Sequence, residues 1–462
     1  MRALQRGLAL LLGLVKTFRL ALPKLGVGWM FALLTINFNR ITIGELGVAA
    51  FAVTTMLGLH YFFSPFQVIA GRFADRNPIW GLRRTPYLLM AAVLGSLIFL
   101  TLPSIAVAMG NGNPLGYVGG FAALITFGIA IAIMGDTHHS LIAEVTSSRT
   151  RGGVISVVWT FTILSTIIAS VIMQQVMPEY TPALMQRLYN LTPLIVIGSA
   201  VLGIIGIEKR LTSGELAAAL EAAQQVAPAR NPLRAAANAL RDNSQARGFF
   251  IFVFLAIFAI FLQDNILEVF GGEAFGMSLK ETTGFQQVWG GGVLIGMILM
   301  GIASSIFPLS KRFITTLGCL GTAAGLAVMA AASFTGQASL VRPSLMLMGF
   351  FTGFFNVGAL SMMMDMTVEG ATGLYMGMWG MAQAFGNGAS SISSGLLHTG
   401  LIETGLVSPA LGYTLFFGFE AVVMLTSALI IMRLSVERFH GIQQSYLTRS
   451  DFTRAMDSGA VV

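Results

Sequence analysis

Charge is scarce in this sequence. Only 10% of the 462 residues are Asp, Glu, Lys or Arg, against about 25% in a soluble domain, so water is not the solvent for most of the chain. Cysteine is nearly absent. Cys319 stands alone inside an apolar run, which excludes an intrachain disulfide and a cysteine metal cluster. No Walker-type loop occurs, which removes ATP as the energy source. Gly290–Gly292 lies mid-segment, where glycine serves close helix contact rather than phosphate binding. No Ser/His/Asp set or metal-ligand cluster has supportive context. No enzyme, catalytic residue or metal site is therefore expected. Nor does the formal charge of +7 mark nucleic acid, because the basic residues are dispersed between apolar runs. The N-terminus has no A-x-A-like cleavage site of a signal peptide.

Hydrophobic residues make up 55% of the chain, and a membrane-spanning helix needs about 20 of them in a row. Twelve apolar segments fall at 25–45, 49–70, 86–107, 117–145, 153–176, 189–208, 248–270, 284–306, 313–334, 343–364, 372–397 and 410–433. The expected fold is an all-α membrane protein of twelve transmembrane helices in two six-helix halves. With that count, 23 of the 27 Lys and Arg lie on one side; Arg40, Arg187, Lys280 and Arg342 fall elsewhere. The positive-inside rule makes that side cytoplasmic, with both termini. Residues 1–24 then form a cytoplasmic N-terminal segment, with an amphipathic helix over 3–22 lying on the membrane surface. The halves are 25–208 and 248–433, joined by a cytoplasmic linker, 209–247, and followed by a cytoplasmic tail, 434–462. In the linker, Thr212 with Glu215 reads as a capping box, and Asn231–Pro232 as a helix start.

The halves carry a weak internal repeat. "EVTSSRTRGGVISVVW" (Glu144–Trp159) and "DMTVEGATGLYMGMW" (Asp365–Trp379) each hold an acid, a Thr two residues on, and a Gly six residues before a Trp. Parallel repeats of this kind mark secondary transporters.

The stretch "GRFADRNPIWGLRRTPY" (Gly71–Tyr87) gathers charge between segments two and three. It resembles the corresponding loop of the major facilitator superfamily through Gly71, Ala74, Asp75, Arg76, Gly81, Arg83 and Arg84, with Asn77–Trp80 as extra residues before Gly81. That resemblance implies the major facilitator fold. Physically, Asp75 can face the positive end of the helix starting near Gly373, and the arginines can pair with Asp75. Such a conformational latch is worth on the order of 1 kcal/mol. The plainer reading, residues that only hold the loop in the cytoplasm, fits Arg72 and Arg83.

Three more stretches, "NRITIGELGV" (Asn39–Val48), "LQDNILEVFGGEAFGMSLKETT" (Leu262–Thr283) and "GLYMGMWGMAQAFGNG" (Gly373–Gly388), resemble the PucC family of (bacterio)chlorophyll-delivery proteins. The similarity runs from about residue 20 to 435, with Val269 standing where the family pattern has proline. The resemblance implies a photosynthetic membrane, thylakoid or intracytoplasmic, or a bacterial plasma membrane. It implies as partners the lipid bilayer, chlorophyll or bacteriochlorophyll as bound cargo, light-harvesting or photosystem subunits, and pigment-synthesis enzymes.

Ionisable residues inside spans are costly and usually functional. Arg40, Glu45, Asp264 and Glu268 lie toward the outer ends of segments one and seven. Asp264 and Glu268 are four apart and share a helix face, and Arg40 can pair with either. This set is a gate or proton-coupling candidate, or else an outer salt bridge. For pigment, a neutral His can ligate the Mg of a chlorin. His139 is the first candidate, with Asp136 three residues before it to fix its tautomer; His60 is the second. His138 points elsewhere on the helix and reads as an interfacial hydrogen-bonding residue. Trp159, Trp289 and Trp379 can line an aromatic cavity or simply pack helices. Two alternatives to pigment delivery stay open: a proton-coupled secondary transporter of a small amphiphile, and a scaffold for membrane subunits that moves nothing.

Overall fold

Each of the twelve apolar segments contains helical residues in the computed structural model, which describes residues 2–63, 73–74, 77–146, 148–212, 214–215, 232–367 and 372–442, so that 64–70 of segment two lie outside the described residues. Segment one is Pro23–Ala32, continued by two π-helical turns, Leu33–Phe38 and Arg40–Glu45. Segment two is Ala50–Leu59 with a 3-10 turn, His60–Phe63. Segments three to five are Thr85–Gly110, Pro114–Val145 and Ser148–Val176. Segment six is split into Pro182–Tyr189 and Thr192–Ile204. Segment seven runs Ser244–Leu262, a 3-10 turn Gln263–Asn265, then Leu267–Phe275. Segments eight to twelve are Phe285–Ile306, Lys311–Thr335, Val341–Asp365, Thr372–His398 and Pro409–Met432. Among the described residues ten helices are long and apolar enough to cross a membrane, and no strand occurs beyond an isolated bridge, Ile79 to Leu82.

Helix starts follow local chemistry. Asn113, Thr181, Asn243, Ser310 and Ser408 each accept a backbone N–H of the first turn, satisfying donors a helix leaves orphaned. The linker begins as expected. Thr212 Oγ1 and the Glu215 carboxylate exchange bonds with each other's backbone N–H, and a helix starts at Pro232 (Pro232–Asp242). Hydrogen bonds from Lys209 and Thr212 hold the Glu215 carboxyl down at about 2. Asn231 lies outside the described residues.

The N-terminal helix is present, Arg2–Ala21. It runs into segment one through Leu22, which keeps helical angles (φ −54, ψ −42). Lys16 Nζ donates to Val145 O at 2.7 Å, and Arg19 donates to the carbonyls of Leu202 and Ile205. Both cations thus cap the C-terminal carbonyls of segments four and six, where positive charge is favourable. We call this the linker end of the bundle and the opposite one the far end.

The repeat has a structural counterpart. At the linker end of the first half, Arg83 and Arg84 bind Glu144 at 3.3 and 2.9 Å. Glu208 accepts the backbone N–H groups of Arg83, Arg84 and Thr85. In the second half Lys311 binds Asp365 at 2.6 Å, and Arg312 donates to Leu434 O. Glu144 and Asp365 are the acids that align in the two quoted stretches. Of the latch residues, Gly71, Asp75 and Arg76 lie outside the described residues.

Segments eight and ten cross on two pairs of glycines four apart. A Cβ on Gly296 would stand 2.0 Å from Phe350 O, and one on Gly349 would stand 2.2 Å from Trp289 O. Gly292 and Gly353 are similarly close to backbone. Small residues at this spacing let two helix backbones touch.

Candidate binding cavity

A cavity of about 350 Å³ lies between the halves. Its walls come from segments one, two and five of the first half and seven, eight, ten and eleven of the second. They are mostly apolar and aromatic: Phe31, Tyr61 and Trp159 face Phe261, Trp289 and Phe355. A few polar groups punctuate them, chiefly Thr166, Gln286, Asn356, Gln383 and Asn387. This combination suits an organic ligand with a broad apolar body.

The halves are joined toward the far end. Asn39 Nδ2 donates to Asn265 Oδ1 at 3.3 Å, and Asn265 Nδ2 to Ser391 Oγ at 2.8 Å. Gln286 donates to Thr166 at 2.9 Å and Gln287 to Gln174 at 2.7 Å. Ala49, at the N-cap of segment two, offers no side-chain acceptor. The other half supplies one: Ala50 N–H donates to Glu403 Oε1 at 2.9 Å, and Phe51 N–H to Thr399 Oγ1 at 3.2 Å. Glu403 Oε1 also lies 3.3 Å from Nδ1 of the buried His398, in ion-pair range though off a hydrogen-bond line. His398 Nε2 meets Glu273 Oε2 at 2.9 Å, which also accepts Tyr413 Oη–H at 2.7 Å. All of these bonds between the halves lie in the far half of the bundle.

The charged residues expected as a gate are distributed differently from the sequence reading. Arg40 forms its ion pair with Glu45 of its own segment, at 3.1 Å, and not with Asp264 or Glu268. Its guanidinium packs where Gly44 and Gly272 leave room; a Cβ on Gly272 would be 2.7 Å from Arg40 Nη2. Arg40 therefore meets the second half through backbone rather than through an acid. Nor do Asp264 and Glu268 share a helix face. The 3-10 turn and Ile266 (φ −127, ψ −11) break segment seven between them, without the proline that Val269 replaces. Asp264 lines the cavity, whereas Glu268 is buried and does not. Glu420 of segment twelve, also buried, accepts Gln263 N–H at this break (3.1 Å).

The pigment candidates separate as well. Trp159 lines the cavity, but Trp379 is fully buried beside Phe249 and Tyr375, away from it. The reason is neighbourhood: Phe249 meets the Trp379 ring edge-on at 4.8 Å within the second half. Trp289 takes its place in the wall, with its indole N–H unpartnered. His138 donates to Leu20 O at 2.7 Å, the interfacial role expected of it. His139 is exposed, does not line the cavity and makes no hydrogen bond to Asp136. His60 does not line the cavity either; it is buried among Phe31, Tyr61 and Phe127, directly behind the first two rings, which do line it. Its Nδ1–H donates to Leu57 O, which leaves Nε2 an unpartnered acceptor.

Sequence reasoning missed two features. Lys24, counted there with the N-terminal tail, lines the cavity with its ammonium 5.3 Å from the centre of the Trp159 ring. A lysine inside "PKLGVGWMFALL" is the signal that could have found it. His398, Glu273 and Glu403 were not singled out, since they come together only through the fold.

The family described as PUCC protein matches residues 37–439. A Rhodobacter capsulatus protein named bacteriochlorophyll synthase 44.5 kDa chain is 30% identical over 439 residues, covering 91% of this chain and 95% of its own. Protein PucC of Cereibacter sphaeroides is 25% identical, with 92% of each chain covered. Among solved structures, a D-xylose–proton symporter superposes with a TM-score of 0.65 at 15% identity, over 91% of this chain and 97% of its own. A POT family transporter in complex with 5-aminolevulinic acid gives 0.66 at 16%, over 94% and 96%. These likenesses show the fold. It is the major facilitator fold of a multi-span membrane protein.

Proposed function

The chain belongs to the PUCC family, and on that premise we propose that it binds chlorophyll or bacteriochlorophyll and hands it on during assembly of pigment–protein complexes. One observation carries this reading: the cavity between the halves is walled by aromatic rings of both, the surface a chlorin ring buries well. His60 is the preferred ligand candidate for the chlorin Mg, ahead of His139. Its Nδ1–H is already committed to a carbonyl, so the lone pair is on Nε2. The partners are then light-harvesting or photosystem subunits and pigment-synthesis enzymes in a photosynthetic membrane. No catalysis is proposed; the synthase name belongs to the relative that carries it.

The test is spectroscopic. Protein purified gently from a pigment-making host is expected to carry near-stoichiometric pigment, seen in its absorption spectrum. His60→Ala is expected to lose most of it, while Trp379→Phe keeps it. Colourless protein from such a host would overturn the reading. One observation favours a second reading: Asp264 faces the cavity, as a proton-coupled transporter requires. Flux of a small amphiphile driven by a pH gradient in liposomes, abolished by Asp264→Asn, would establish that reading instead.

The same proposal places the linker end, and both termini, in the cytoplasm, because 23 of 27 basic residues lie on that side. Single cysteines at Lys209 and Asn111 are expected to label from opposite faces of sealed vesicles. Labelling of both from one face would refute the orientation.

A further inference from the structure

Among the described residues that line the cavity, Lys24 is the single cation and Asp264 the single carboxylate. They cannot pair. Asp264 precedes Asn265, which bonds Asn39, and Asn39 stands 15 residues beyond Lys24 on segment one. That is on the order of 20 Å along a helix. Lys24 is 7% exposed, and no described residue offers it a hydrogen bond or an ion pair. Its ammonium stands over the Trp159 ring, and His138 and His139, within electrostatic range of it, carry no negative charge to meet it. A ring face attracts an ammonium but accepts none of its three N–H bonds. Lone ammonium groups in apolar surroundings are costly unless an anion meets them.

We propose that Lys24 is an anion subsite, and that the cavity takes an amphiphile with one carboxylate beside Lys24 and an apolar body reaching toward Tyr61 and Phe261. The site points to a carboxylate because a single ammonium, with no arginine among the described lining residues, matches a monoanion; doubly charged phosphate groups recruit several cationic donors. Lys24 stands near the linker end, on the segment that follows Lys16 and Arg19, so the charged group of the ligand lies toward that end of the cavity. Combined with the pigment reading, on which this part rests, the subsite narrows that reading: chlorophyll and bacteriochlorophyll are esters at their propionate, so the cargo held best is the Mg-chlorin whose propionate is still a free acid.

The test uses the full-length protein in nanodiscs. Trp159 and Trp289 line the cavity, so their fluorescence reports occupancy. The probes are chlorophyllide a, which keeps its Mg, and its methyl ester, and dibromostearic acid and its methyl ester. The acid of a pair is expected to bind at least tenfold more tightly than its ester. That preference is expected to vanish in Lys24→Met and to persist in Lys24→Arg. The acid-to-ester ratio of the native protein is a test that needs no variant. Acid preference for chlorophyllide supports both the subsite and the pigment reading. Acid preference for dibromostearic acid with no binding of either chlorin supports the subsite and overturns the pigment reading. Equal binding of acid and ester, failure of both acids to bind, or a preference unchanged in Lys24→Met overturns the subsite and leaves the pigment reading to its own spectroscopic test.

Discussion

Gly349→Leu is expected to abolish most of the monodisperse protein recovered after extraction. The added side chain would begin 2.2 Å from Trp289 O, and that atom is backbone, so no rotamer change relieves the clash. Segments eight and ten would have to move apart along a contact where a Cβ on Gly292, Gly296 or Gly353 would also stand within 2.9, 2.0 or 2.5 Å of the facing backbone. Over-packing in a well-packed interior typically costs about 1–3 kcal/mol, and a clash with backbone belongs at or beyond the top of that range. In lipid the loss is not offset by a hydrophobic drive between helices, since association there depends on close packing. The control is Gly301→Leu, on the same segment, where a Cβ meets nothing within 4 Å. Size-exclusion profiles and thermal melts in detergent should show a near-native control and a lost or strongly shifted variant. Equal behaviour of the two would refute the packing argument.

Glu403→Ala is expected to open the far end. One carboxylate does two things there. It accepts the N–H of Ala50, at a helix start that lacks a side-chain cap of its own, and it lies beside buried His398. Losing a cap costs about 0.5–2 kcal/mol; His398 belongs to the same half and keeps Glu273, so it does not enter the balance between the halves. Since about 1.4 kcal/mol is tenfold in an equilibrium, the population with the halves parted at this end should rise by roughly two- to thirtyfold. Spin labels at Asn111 and Leu406, exposed sites at this end of the first and second halves, should show a longer distance component in the variant. Glu179→Ala, at an exposed acid nearby in sequence to the far end of segment five, should leave the distribution as it was. An unchanged distribution in Glu403→Ala would mean that the asparagine and glutamine bonds close this end without it.

The architecture was largely readable from the sequence because lipid imposes it. Backbone groups in lipid must be satisfied within the protein, so apolar length marks the helices; their starts were less legible, since segment six was set at 189 and Thr181 caps a helix that begins at Pro182. The repeat was readable through Glu144 and Asp365, whose matching ion pairs show why an acid stands at each place. The interior of segment seven was not. Spacing placed Asp264 and Glu268 on one face, because a count of residues assumes an unbroken helix. The break at Gln263–Ile266 depends on Glu420, 157 residues away, accepting the freed N–H. Arg40 was misassigned for a related reason: opposite charge suggested a partner across the halves, but Glu45 is nearer along the chain and the glycines leave room for the guanidinium. Lys24 was hidden by its own sign. Charge counting assigns every lysine near the N-terminus to the cytoplasmic face, and only the fold reveals one turned inward.

The N-terminal helix has a bearing on how the chain is made. Lys16 reaches a carbonyl 129 residues later, and Arg19 one 183 residues later. A ribosome delivers roughly 5–20 residues per second, so these first-made cations wait on the order of ten seconds or more before their acceptors exist. Segment four supplies the acceptor of Lys16, segment five the ring that meets Phe18, and segment six the acceptors of Arg19. The leading helix is thus fastened in steps, and its last bonds wait until the sixth segment has been made.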